Sequence, residues 1–141
     1  MAPRIVLDTS VLIAALISEA GPNREILRRC LIGTYKPLIS NALFLEYVDV
    51  TGRDSILDLC PVSAQDIHDL RDALCTACEW IPIYYLWRPN LADESDNHIL
   101  ELAIAGNAEM IVSNNIRDFR DSQLIFPSLE IVTPEKLLRS N

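Results

Sequence analysis

The sequence is poor in glycine, aromatic residues, histidine and lysine, and each shortage removes a class of function. With 4 glycines in 141 residues there is no glycine-rich loop to cradle a phosphate. Aromatics make up 6% of the chain, so the core must be mainly aliphatic. The two histidines, His68 and His98, read as solvated helix residues, and no Ser–His–Asp order suggests a nucleophilic triad. Lysine occurs only as Lys36 and Lys136, neither of them at the end of the fourth strand, where a phosphotransfer receiver needs one. No apolar run reaches the ~18 residues of a membrane span. Arg4-Ile5-Val6-Leu7 leads straight to Asp8, without the apolar stretch and cleavage site of a signal peptide. The expectation is a cytoplasmic protein with no membrane association.

Half of the residues are hydrophobic, which marks a globular chain, and no linker, repeat or low-complexity segment divides it. One domain is expected over residues 1–141. The four cysteines, Cys30, Cys60, Cys75 and Cys78, suit a reducing compartment. Cys75 and Cys78 are spaced C-x-x-C, but a second ligand pair is missing and the motif lies inside a helical pattern. Small residues on a helix are the simpler account. The net charge is −8, which speaks against a basic footprint for nucleic acid. That objection weakens if several acids are metal ligands, because a bound cation reverses the local field. The basic residues are mostly arginines; Arg24, Arg28 and Arg29 cluster on one predicted helix, while Arg88, Arg117 and Arg120 flank acidic segments. They read equally as phosphate forks or as a solvated surface.

Hydrophobic periodicity predicts a strand over Arg4 to Leu7 and a buried helix over Ser10 to Ile17. An amphipathic helix follows over Asn23 to Ile32, capped by Asn23 and ended by Gly33. Pro37 to Ile39 forms a second strand, and Ser40 caps a helix to about Asp49, broken at Gly52. Ser63 to Cys78 is helical, and Trp80 to Tyr84 is a third strand despite Pro82. A loop from Trp87 to Ser95 leads to a helix over Asp96 to Ala105, closed by Gly106. Met110 to Val112 and Ile131-Val132 are the last strands, followed by a short helix opened by Thr133-Pro134-Glu135. Strands alternating with helices imply a mostly parallel sheet, whose ligands lie beyond the carboxyl ends of the strands.

The acids gather at that predicted edge. Asp8 ends the first strand, and Glu46 lies within about two turns of Ser40. The third strand leads to Asp93 and Asp96, and the fourth to Ser113-Asn114-Asn115 and Asp118. Each has an ordinary explanation. Asp93 and Asp96 suit a helix N-terminus, Glu46 a solvent-facing position, and Asp118 a turn. Asp8 is harder to dismiss, because a desolvated carboxylate after a buried strand needs a partner or a metal. Carboxylates without a matching His or Cys set point to Mg²⁺ or Mn²⁺. Such a cation polarises a phosphodiester and activates water. Thr9, Ser10 and Ser113 have the hydroxyls to hold metal waters or phosphate oxygens.

The ordered set Ile5-Val6-Leu7-Asp8-Thr9-Ser10-Val11-Leu12, Glu46, Asp93-Glu94-Ser95-Asp96-Asn97-His98-Ile99-Leu100-Glu101-Leu102-Ala103 and Ile111-Val112-Ser113-Asn114-Asn115-Ile116-Arg117-Asp118-Phe119 resembles the PIN-domain ribonucleases. More narrowly, it is similar to the toxin components of bacterial type II toxin–antitoxin pairs. The resemblance covers nearly the whole chain. It implies a three-layer α/β/α fold around a mostly parallel sheet, Mg²⁺ or Mn²⁺, cleavage of single-stranded RNA, homodimerisation and a cognate antitoxin protein. Carried over by position, Asp8, Glu46 and Asp96 hold the metal and, with Asp118, form the catalytic set. Thr9, Ser10, Asp93, Ser113, Asn115 and Arg117 support them or touch substrate. Two positions depart from the pattern: Ser10 stands where the family often has Asn, and the usual fourth acid falls near Asn115. Asp118 and Asp93 are the residues that compensate. A member that binds RNA or a protein without cutting is the alternative, and Asn115 is its motive.

Overall fold

The structure is a computed structural model and describes residues 2–83, 97–119, 126 and 128–140. Its centre is a five-stranded sheet in the order β3-β2-β1-β4-β5, with every adjacent pair parallel. The strands are β1 (Arg4–Leu7), β2 (Lys36–Ile39), β3 (Glu79–Trp80), β4 (Met110–Val112) and β5 (Glu130–Val132). Ile5, Val6 and Leu7 of β1 are buried in the middle of the sheet, as a continuous apolar run should be in a parallel sheet covered on both faces. The register pairs Ile5 with both Pro37 and Met110, and Leu7 with Val112.

Helices cover both faces. The helices α1 (Thr9–Ile17), α2 (Pro22–Leu31) and α5 (Ala64–Ala77) pack together, with α1 on β1 and α5 on β2. The helix α6 (Asn97–Ala105) lies instead on β1, β2 and β4. The expected three-layer α/β/α arrangement is therefore observed. The helix α3 (Asn41–Thr51) touches both α1 and α6, α4 (Asp54–Leu57) is a single turn, and α7 (Pro134–Arg139) packs on α2. Between β4 and β5 stands a 3-10 turn, Ile116–Phe119, that buries Phe119. Among the described residues no helix is long and apolar enough to cross a membrane.

Local sequence accounts for most element ends. Ser40, Ser63 and Thr133 each accept a hydrogen bond from the backbone N–H three residues on, as good N-caps do. At the close of α6 the left-handed residue is Asn107 (φ 57°), not Gly106. Gly106 is favoured by space instead: a Cβ there would lie 2.7 Å from Cδ1 of the buried Leu38, which would have to shift. Two expectations need correction, and one element was not expected. The helix α2 starts at Pro22 behind Gly21 (φ 110°), because proline is preset for the first helical turn, and Asn23 does not cap it. The single turn α4 had no visible periodicity. The third strand is Glu79–Trp80, shorter than the expected Trp80 to Tyr84, and the Ile81 N–H beyond it still donates to Ile39 O of β2; the expected end, Tyr84, lies outside the described residues.

Candidate active site

Asp8 sits directly after β1 in the N-cap position of α1, yet its side chain makes no capping bond. An acid there ordinarily caps the helix. Its Oδ2 accepts instead from Ser10 Oγ at 2.9 Å and from Ser113 Oγ at 2.7 Å. Both bonds fall on one oxygen, so Oδ1 has no hydrogen bond among the described residues. Asp8 is only 7% exposed and Ser113 is fully buried, so the carboxylate is held rigidly at the carboxyl edge of the sheet. Ser113 follows β4 and is itself fixed by the Asn115 N–H, which donates to Ser113 Oγ at 2.9 Å. From the other side, Asn114 N–H donates to Ser10 Oγ at 3.1 Å, and its amide donates to Ser10 O and to Asn23 Oδ1.

A second group meets the first at residue 9. Thr9 Oγ1 donates a hydrogen bond to Glu46 Oε1. His98 Nε2 lies 2.7 Å from Glu46 Oε2, so both carboxylate oxygens are held. Burial works against ionisation of Glu46, but the bonds from His98 and Thr9 outweigh it and keep the carboxyl below its ordinary 4.5. The next residue, Tyr47, is fully buried and donates its hydroxyl to Leu7 O at 2.7 Å. This bond anchors α3, and with it Glu46, to the last residue of β1 before Asp8.

Of the residues expected from sequence, the structure thus brings together Asp8, Ser10 and Ser113, and beside them Thr9 and Glu46. Asn115 contributes a backbone N–H while its side chain is exposed. Arg117 is exposed and Asp118 half-buried in the 3-10 turn; among the described residues no hydrogen bond or ion pair joins them to either carboxylate. Asp93 and Asp96 lie outside the described residues. His98 corrects the expectation of a solvated histidine, because it is the partner of Glu46. The clue available in sequence was its place in the first turn of a helix that starts at the same sheet edge. Tyr47 and Asn114 were also missed, since each acts through a contact at least 40 residues away.

Residues 4–117 match the family model described as the PIN domain. The chain belongs to the PIN domain family. Its fold is similar to that of a chain in the crystal structure of VapBC2 from Rickettsia felis bound to a DNA fragment from their promoter. That likeness covers 92% of this PIN domain chain and 98% of the other, at 18% identity and a TM-score of 0.59. No curated protein matches the sequence.

The donor set of this PIN domain suits a hard divalent cation. Among the described residues no three His, Cys, Asp or Glu side chains gather closely enough to hold a metal by themselves. Mg²⁺, however, is commonly held by one or two carboxylates and keeps several waters. Asp8 offers an oxygen without a hydrogen bond among the described residues, Glu46 is ionised and oriented, and the hydroxyls of Thr9 and Ser10 lie beside them. A neutral or thiolate-seeking site would not be built this way.

Proposed function

We propose that this PIN domain is an Mg²⁺- or Mn²⁺-dependent endoribonuclease that hydrolyses phosphodiester bonds of single-stranded RNA. The observation that carries the reading is Asp8: a buried carboxylate in a capping position that caps nothing, pinned through one oxygen by Ser10 and Ser113. Asp8, Glu46 and Asp96 would hold the cation, with Asp118 in the catalytic set and Asp93, Asn115 and Arg117 in support. When bound, the cation supplies a Lewis acid for the phosphodiester and lowers the pKa of a water. Ser10 and Ser113 fix the direction of Asp8, as groups behind metal ligands commonly do. Thr9 and His98 do the same for Glu46 and hold it ionised. The hydroxyl of Tyr47 keeps the two carboxylate-bearing segments in register.

Family membership supports nuclease chemistry, and the VapBC2 fold likeness supports the toxin role in a toxin–antitoxin pair. On that reading the chain works in the cytoplasm as a homodimer, and its antitoxin brings a basic segment to an acidic edge. A member that binds without cutting is favoured by one observation, the exposed and uncharged Asn115 where a fourth acid would stand. Incubating the purified chain with a fluorescent single-stranded RNA and Mg²⁺ or Mn²⁺ separates the two. Cleavage abolished by EDTA and by Asp8→Asn is expected. RNA left intact by well-folded protein, with no metal bound in calorimetry, would leave the binding module.

A further inference from the structure

Beside the candidate active site, at the carboxyl end of β3, stands Trp80, which is 48% exposed. One side of its indole packs against Phe44 of α3, with ring centroids 5.3 Å apart and planes tilted by 54°. That separation lies in the favourable range for aromatic pairs and fixes the ring without covering it. The sheet register sets Trp80 opposite Ile39, the residue before Ser40. A cavity of about 500 Å³ opens there, lined by Ser40, Asn41, Trp80, Ile81, Pro82 and His98. The volume falls in the ~300–1,000 Å³ range of small-ligand sites. Because His98 also bonds Glu46, the cavity and the candidate active site share a wall.

The lining offers two kinds of contact. The open face of Trp80 is a stacking surface. Asn41 at the start of α3 is exposed, and its side-chain amide makes no hydrogen bond among the described residues. A nucleobase presents the same pair of features, a π-face and an edge of donors and acceptors, and single-stranded RNA is recognised mainly through them. On a chain of net charge −8 such contact needs no basic footprint. We infer that Trp80, braced by Phe44, is the stacking platform for a base of the RNA next to the scissile phosphate, with Asn41 meeting the base edge. This rests on the ribonuclease reading and names the substrate contact beside it.

Steady-state cleavage of a fluorescent single-stranded RNA by the full chain tests it in the wild type, Trp80→Ala and Trp80→Phe. Losing the platform should raise KM roughly 5–150-fold with kcat little changed, and phenylalanine should restore most of the loss. RNAs carrying one abasic sugar each supply a readout that a merely structural role would not move. At one position the abasic penalty seen with the wild type should vanish in Trp80→Ala. Trp87 is the other tryptophan, so in a Trp87→Phe background RNA should quench the emission of Trp80. An unchanged KM in an active, normally melting Trp80→Ala variant overturns the inference. If that variant fails to fold, absence of quenching overturns it instead. Quenching by a copurified protein but not by RNA assigns the surface to a protein partner and also overturns it. A wild type that binds RNA and quenches without cutting preserves the platform and ends the nuclease reading; one that neither binds nor cuts ends both.

Discussion

Replacing Tyr47 by Phe removes one hydroxyl from the core and leaves the ring in place. The hydroxyl donates to Leu7 O at 2.7 Å, and the side chain is 1% exposed, so no water replaces the lost donor. Burial holds the phenol far above its ordinary titration range, so it is a neutral donor at any working pH. A net buried hydrogen bond contributes about 0.5–1.5 kcal/mol, and a stranded buried acceptor costs about 1–3 kcal/mol. Leu7 lies in a strand paired on both sides, which limits how far its carbonyl can turn to find another donor. The expected loss is about 1–2 kcal/mol, roughly 3–8 °C in Tm for a chain of this size. Urea unfolding should show a lower midpoint at unchanged slope. Tyr47→Ala should cost more, about 3–5 kcal/mol, because it also leaves a cavity. A Tyr47→Phe protein within about 0.3 kcal/mol of the wild type would refute the claim that this bond anchors α3 to the end of β1.

Three further outcomes are expected. Ser113→Ala removes a 2.7 Å donor from Asp8 and should weaken Mg²⁺ or Mn²⁺ binding about 10–100-fold in calorimetry; undiminished affinity would show that Ser113 does not orient the carboxylate. Gly106→Ala drives a Cβ to within 2.7 Å of Leu38 Cδ1 and 3.0 Å of Ile81 Cγ1, and should cost about 1–3 kcal/mol in urea unfolding, although at a position without positive φ alanine otherwise stabilises by restricting the unfolded chain. Hydrogen bonds from Arg28 and Arg29 lower Glu25 from 4.5 to about 2. Since its folded value is depressed, its contribution is present above about pH 4.5 and fades as the pH falls toward 2. The same sign holds for Glu46. Melting curves across that window should therefore be flatter for Glu25→Gln than for the wild type, by a small, salt-sensitive margin; superimposable profiles would count against the ion pairs.

How much was legible follows the range of the interactions. Asp8 and Ser113 were found because each follows a short apolar strand, and a parallel sheet puts strand ends on one edge. Glu46 was found by counting turns from Ser40, a cap that the structure repeats. Local turn chemistry misled at Asn23, which looks like a cap but instead accepts a bond from Asn114, 91 residues away. His98 looked solvated because its partner lies 52 residues upstream on another helix. Periodicity describes one element at a time, and these contacts exist only between elements. Trp80 was read simply as part of a strand, since its ring pair with Phe44 depends on how α3 crosses the sheet edge.

The order β3-β2-β1-β4-β5 has a consequence for synthesis. The first strand made is the central one, and its two neighbours arrive at very different times: Lys36–Ile39 soon after, Met110–Val112 near the end of the chain. Until then one edge of Ile5-Val6-Leu7 has no partner, and an open apolar edge is a template for pairing with another chain. Truncation before residue 110 should thus harm solubility as well as remove the site residues beyond β4. A growing chain would also lack Ser113 to pin Asp8, so the carboxylate is aimed only once the sheet has closed around it.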